Sequence, residues 1–309
     1  FCVTSPMFAA FLAAFFFALN ATCASHSVRV FGTLYTNLTR LVIAAVLLGL
    51  FAHTIGHGFA SASLGWFLLS GVIGMGLGDL GVYAALPLLG SRLTLLMTQC
   101  LAAPIAALGE WLWLGNRLTA LQTFWGAVIL LGVAVALMPS RSSPPKVRVQ
   151  PIGFLFGLIA ACGQGLGALV SRKGVTVATA AGESVANVTF GLTATYHRIL
   201  AGLAFTTLWF LALRLLQRLP ARPVTSPTER HTGRWWVLAN GLAGPVAGVG
   251  CYQWALATTP SGLVLPIVAT TPLLAIPIAF WLEGDRPSHR SILGGVIAVA
   301  GCIALTLNR

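Results

Sequence analysis

Apolar residues follow one another along this chain in runs of about 17 to 25, and polar residues are confined to the stretches between them. A run of that length, wound as an α-helix, crosses roughly 30 Å of hydrocarbon. Ten such runs can be read: 6–26, 33–52, 64–87, 92–114, 119–138, 152–172, 194–216, 235–257, 261–282 and 291–307. They are apolar on every face. Barrel strands would instead show ~10-residue segments of alternating polarity, and in lipid a lone segment satisfies its own backbone only as a helix. The pattern predicts an all-α integral membrane protein of ten transmembrane helices in a lipid bilayer. The first run has no basic flank and exceeds the roughly 7 to 15 apolar residues of a secretory signal, so it is read as the first membrane helix.

Composition agrees. Of 309 residues, 57% are hydrophobic and 8% charged, too few charges to coat a water-soluble domain. The net charge of +12 is not a nucleic-acid signature, because the arginines of 214–234 alternate with Pro, Ser and Thr rather than with stacking aromatics. It is a topology signal. Arg29, Arg92, Arg141, Lys146, Arg148, Arg214, Arg218, Arg222, Arg230, Arg234, Arg286 and Arg290 follow the odd-numbered runs. The other side holds Arg117, Arg172, Lys173 and Arg309. The positive-inside rule then places both termini outside the cytoplasm of a multi-pass cell-membrane protein. The cysteines are dispersed as apolar filler, and His53 and His57 sit in a loop with no third ligand, so no metal and no cofactor are expected.

The chain also repeats itself. Gly115-Asn116-Arg117-Leu118-Thr119 returns as Gly284-Asp285-Arg286-Pro287-Ser288, Gly126 and Gly132 as Gly295 and Gly301, Gly71, Gly74 and Gly78 as Gly241, Gly244 and Gly248, and Arg40 as Arg198. Such self-similarity marks a duplicated unit: a first five-helix repeat at 6–138, a linker at 139–151 and a second repeat at 152–307. Five is odd, so the second copy enters the membrane from the opposite side and the repeats are inverted. Inverted repeats around a midplane site are a common construction for alternating access in secondary transporters. The paired glycines Gly74/Gly78, Gly153/Gly157, Gly163/Gly167 and Gly244/Gly248 predict close helix contacts, and Pro104, Pro266, Pro272 and Pro277 predict kinks or hinges.

Arg40 followed by Leu-Val-Ile-Ala-Ala, a Gly-rich third run, a proline-containing fourth run, Gly-x-Arg-x-Thr and a Gly-spaced fifth run, all then repeated, resemble the drug/metabolite transporter superfamily in its ten-helix EamA-like branch. The resemblance covers residues 6–307. It implies transport of a small-molecule substrate across a cytoplasmic membrane, commonly efflux of amino acids or related compounds, through a cavity between the halves. Two features depart from it. The family usually carries Glu where this chain has Asn116 and Asp285, and it usually keeps its termini in the cytoplasm, against the basic-residue count here.

Arg40, Asp79, Glu110 and Arg198 lie within predicted helices, where each charge costs about 2.5–3.5 kcal/mol on insertion scales unless it is paired or wetted. Two readings stand. Either each Arg pairs with an acid and locks the bundle, or an Arg receives a substrate carboxylate while Asp79 or Glu110 meets an amine or takes up a coupling proton. Asp79, near mid-helix with an apolar repeat partner, is the sharper proton candidate; Glu110, a turn from its helix end, is expected to snorkel to water. If the resemblance holds, the first and sixth helices line the cavity and present Asn20 and Gln164. Tyr83, Tyr252 and Trp254 are candidate aromatic walls. The stretch 174–193 reads as a long loop, either a solvated connection or a gate.

Without a P-loop, energy must come from gradients. A lipid-linked group transferase would need clustered acids, which the chain lacks, and a non-transporting scaffold or sensor remains the third function class. The sequence is compatible with a monomer or a homodimer.

Overall fold

In a computed structural model, residues 6–138, 149–219, 226–283 and 289–307 are described. The first repeat forms α1 (Pro6–Phe31), α2 (Thr33–Thr54), α3 (Leu64–Gly71), a π-helical segment (Val72–Gly78), α4 (Asp79–Leu114) and α5 (Ala120–Leu137). The second forms α6 (Ile152–Ala180), α7 (Val188–Leu215), α8 (Pro227–Gly241), a second π segment (Leu242–Gly248), α9 (Val249–Thr258), α10 (Ser261–Val268), α11 (Thr271–Glu283) and α12 (His289–Leu307). Among the described residues, eight helices are long and apolar enough to cross a membrane. The eighth and ninth crossings are assembled from shorter pieces, α8–α9 through the π segment and α10–α11 through a break at 269–270.

The third and fourth runs merge into helix without a break, yet the chain reverses near 88–92, as its packing on α6 shows. Phe67, Gly74, Gly78 and Gly81 meet Gly174, Gly167, Gly163 and Ala160 in antiparallel order. Leu89 meets Gly153, and Met97, Ile105 and Gly109 then climb back along Gly157, Gly165 and Leu169 in parallel order. Small residues are what allow this: a methyl group on Gly163 would lie 2.5 Å from Gly78 Cα, so the backbones could not approach as they do.

The repeated Gly-x-x-x-Thr motif turns out to be a turn. Gly115, at φ 72°, ends α4 in the left-handed region that glycine adopts without strain. Thr119 then opens α5 with a capping box, accepting from Gln122 N–H while the Gln122 side chain accepts from Thr119 N–H. The matching Gly284–Ser288 lies outside the described residues, as do Arg141, Lys146, Arg148 and Arg222.

The two repeats interleave. α1 packs against α8–α11 of the second repeat, α6 packs against α3 and α4 of the first, and α2–α7 and α5–α12 pair across the repeats. The correspondence extends to single residues. Gly71 packs on the Arg198 carbonyl and Gly241 on the Arg40 carbonyl, so each repeat's glycine accommodates the other repeat's arginine-bearing helix. Both π segments fall at equivalent positions, and each faces the first helix of the other repeat: Gly78 against Gly163 and Gln164, Gly244 against Asn20. Pro245 sits inside the second, while Met75 holds its place in the first, so a missing N–H does not account for both wide turns.

The contact order also defines two ends. The turns at 55–63, 115–119 and 181–187 share one end, where α1 begins and α12 finishes. The start of α2, the reversal near 88–92, the end of α7 and the starts of α6 and α8 share the other. The long loop expected at 174–193 is corrected. α6 continues to Ala180 and α7 begins at Val188, capped by the Asn187 side chain accepting from Phe190 N–H, leaving a short connection.

Candidate functional site

At mid-bundle, Arg40 donates from one guanidinium nitrogen to Asp79 Oδ2 at 2.7 Å and from Nε to Asn37 Oδ1 at 2.8 Å. The hydroxyl of Tyr83 donates to the same Asn37 oxygen at 3.4 Å. Helical spacing explains the set: Asn37 and Arg40 share a face of α2, and Asp79 and Tyr83 share a face of α4. Side-chain exposure of 14% for Arg40 and 25% for Asp79 keeps the pair mostly out of solvent. A cleft of about 360 Å³ touches this group at Asn37 and Tyr83; its walls are otherwise mostly apolar, among them Leu34, Leu77, Phe156 and Trp209, with Thr33 as a further polar side chain. It lies in the half of the bundle that holds the starts of α2 and α6 and the end of α7.

Arg198, the repeat partner of Arg40, is treated differently. It is 5% exposed, sits over the Tyr252 ring at 5.9 Å and, among the described residues, has no hydrogen-bond partner for Nε or Nη1. Its guanidinium faces Gly74 in the first π segment and lies within electrostatic reach of Asp79. Tyr252 OH likewise has no partner among the described residues, and Phe17 of α1 lies 6.3 Å from its ring. Asn20, a turn beyond Phe17, has an unpartnered Oδ1 against Gly244. Arg40, Asp79, Tyr83, Arg198, Tyr252 and Asn20 are thus drawn around the two π segments.

Three further predicted site residues make their side-chain contacts away from Arg40, Asp79 and Arg198. Gln164 is on α6 beside Gly78, where its Nε2 donates to Gln99 Oε1 at 3.3 Å. Trp254 packs against Gly191 of α7 and the main apolar core. Glu110 does not snorkel. It is 2% exposed, and its carboxylate accepts from Arg172 Nε at 3.0 Å, Asn116 Nδ2 at 3.0 Å, Ser261 N–H at 2.6 Å and the Ser261 hydroxyl. Arg172, counted from the sequence as a loop residue, belongs to α6 and also donates to the Leu256 carbonyl at 2.5 Å. Glu110 therefore joins α4, α6 and the start of α10.

Sequence reasoning missed Asn37, whose spacing from Arg40 was a usable signal, and Ser261 and Gln99, which carried none. It also gave no specific contact to Glu183, which ties two turns together at one end. The Glu183 carboxylate accepts from Ser61 Oγ at 2.9 Å and from Ala62 N–H at 2.7 Å, joining the turns 55–63 and 181–187. Beside it, His197 donates Nε2–H to the Gly58 carbonyl at 2.7 Å, and His53, Phe59 and Tyr196 pack as a ring cluster. Among the described residues there is no cluster of metal-ligating side chains.

The EamA-like transporter family model matches this chain twice, at residues 4–138 and 151–307. The chain belongs to the EamA-like transporter family. It carries two EamA repeats and is a multi-pass membrane protein of a transporter family with a small-molecule substrate. No curated protein matches the sequence. Among solved structures, this EamA-like transporter is similar to a crystal structure at a TM-score of 0.71 and 20% identity, with 99% of this chain and 98% of that one covered, a likeness of fold.

Proposed function

We propose that this EamA-like transporter is a secondary transporter that exports a small metabolite, amino acids or related compounds first, by alternating access around the Arg40–Asp79–Arg198 group. One observation carries the reading. Inverted repeats exchange their first helices, and the bundle is latched through Glu183 at one end while a cleft enters the other half toward Asn37 and Tyr83. Exchanging the conformations of the two repeats would release the latch and close the cleft. The basic residues put the cleft end in the cytoplasm and the termini outside.

Arg40, Asp79, Tyr83, Arg198, Tyr252 and Asn20 form the substrate group in this reading, with Gln164 and Trp254 at its margins. Asp79 is the proton-coupling carboxylate, because Arg40 is its one ion-pair partner among the described residues, which leaves it free to exchange. Glu110, with every oxygen engaged, serves packing.

Purified protein in liposomes containing a pH dye, loaded with a panel of labelled amino acids, tests the proposal. The expected result is saturable movement of at least one compound, accompanied by a proton flux. No movement under any imposed gradient would remove the reading.

A further inference from the structure

The two repeat-related arginines are unequal in a way that bears on cargo. Arg40 has a carboxylate and an amide; Arg198, more deeply buried, has the face of Tyr252 and two nitrogens with no partner. Asp79 can neutralise one arginine at a time, so the group carries one positive charge in excess. A buried guanidinium without an anion is costly, and such groups in membrane helices are kept for a ligand or an ion path. Tyr252 OH is a second unpartnered group on the same ring that the guanidinium covers. Gly74 makes room for the guanidinium itself: a methyl group there would stand 2.8 Å from Arg198 Nη2.

Resting on the transporter reading above, we infer that the substrate carries an acidic group, a carboxylate in the first instance, which the Arg198 guanidinium takes with the Tyr252 hydroxyl while Arg40 stays with Asp79. A guanidinium offers donors in a fork that matches a carboxylate, and the phenol adds a third donor from the side. The excess positive charge excludes amines that lack an acid, so the site selects amino acids or simple organic acids over organic cations.

Two measurements on the purified full chain test this. In ligand-free protein, Arg198→Met removes an uncompensated charge, so its unfolding midpoint equals or exceeds that of the wild type; a fall of several degrees would assign Arg198 to the scaffold and overturn the inference. In a thermal-shift titration, phenylalanine, leucine and their N-acetyl acids stabilise the wild type, whereas the corresponding amides and parent amines do not. Arg198→Met and Arg198→Gln weaken the acids at least about tenfold, the loss of one charge-assisted contact. Tyr252→Phe weakens them less, and Arg198→Lys retains part of the binding. Amides or amines stabilising as well as acids, or acids binding Arg198→Gln as they bind the wild type, would overturn it. The transporter reading fails separately. Liposomes that move a neutral or cationic compound regardless of Arg198 sink only the acid-group assignment, whereas acids that bind through Arg198 without ever crossing the membrane sink only transport.

Discussion

Replacing Glu110 by alanine is expected to lower the stability of the protein by about 3–5 kcal/mol, the cost of breaking a buried ion pair by removing one partner. The lost carboxylate would leave Arg172, 14% exposed on its side chain, facing an apolar space with only the Leu256 carbonyl as acceptor. It would also strip Ser261 of the acceptor for its N–H, an orphan donor in the first turn of α10. Equilibrium unfolding in detergent or bicelles measures this directly. Glu110→Gln should be milder, since an amide oxygen still accepts, though the charge of Arg172 stays unanswered. A Glu110→Ala protein within about 1 kcal/mol of wild type would mean that the three elements it joins are held by apolar packing alone.

Asp79→Asn is expected to abolish proton-coupled transport and to leave a folded but less stable protein. The substitution keeps the shape of the side chain and removes its charge, so Arg40 and Arg198 would share the bundle interior with no anion, at about 2.5–3.5 kcal/mol on insertion scales for the newly unpaired charge. The companion Arg40→Gln/Asp79→Asn returns the group to its native excess of one positive charge. It should therefore regain stability while remaining uncoupled, moving substrate down its own gradient without dependence on pH. Flux assays with and without an imposed pH gradient separate the two effects. A double variant as unstable as Asp79→Asn would show that the geometry of the pair matters more than its charge balance.

The sequence made the crossings legible because a bilayer imposes a strict length and polarity on every helix, and the duplicated glycines and arginines made the internal symmetry legible. Helix ends were read less well. Apolarity stops at the membrane surface but helices do not: α6 runs on to Ala180 through Arg172 and Lys173, and α8 starts at Pro227 behind a Ser226–Glu229 capping box. The Gly-x-x-x-Thr repeat was visible as a pattern, while its physical cause, a left-handed glycine followed by a helix cap, needed coordinates.

In the site, Arg40, Asp79, Glu110 and Arg198 could be listed from sequence but not paired, and Arg172, the partner of Glu110, was not among them. The separations within the observed pairs, 39 residues for Arg40–Asp79 and 62 for Glu110–Arg172, carry no local signature. The sequence reading left open whether both arginines are locked by acids or one serves a ligand. The two acids divide that question: Glu110 takes Arg172 and Asp79 takes Arg40, which leaves Arg198 over. The π segments were invisible because a π turn has no composition of its own, as Met75 and Pro245 at equivalent positions illustrate.

Alternating access between the two ends is the central claim, and paired spin labels measure it most directly. With the native cysteines replaced, Ala60→Cys with Ala181→Cys spans the Glu183 latch, and Leu34→Cys with Leu213→Cys spans the cleft end. In bilayers, adding a transported compound should lengthen the first distance as it shortens the second. Glu183→Gln, which weakens a charge-assisted contact of about 1.5–3 kcal/mol, should shift the population the same way without any compound. Two distances that stay fixed, or that lengthen together, while the protein is transporting would contradict the account.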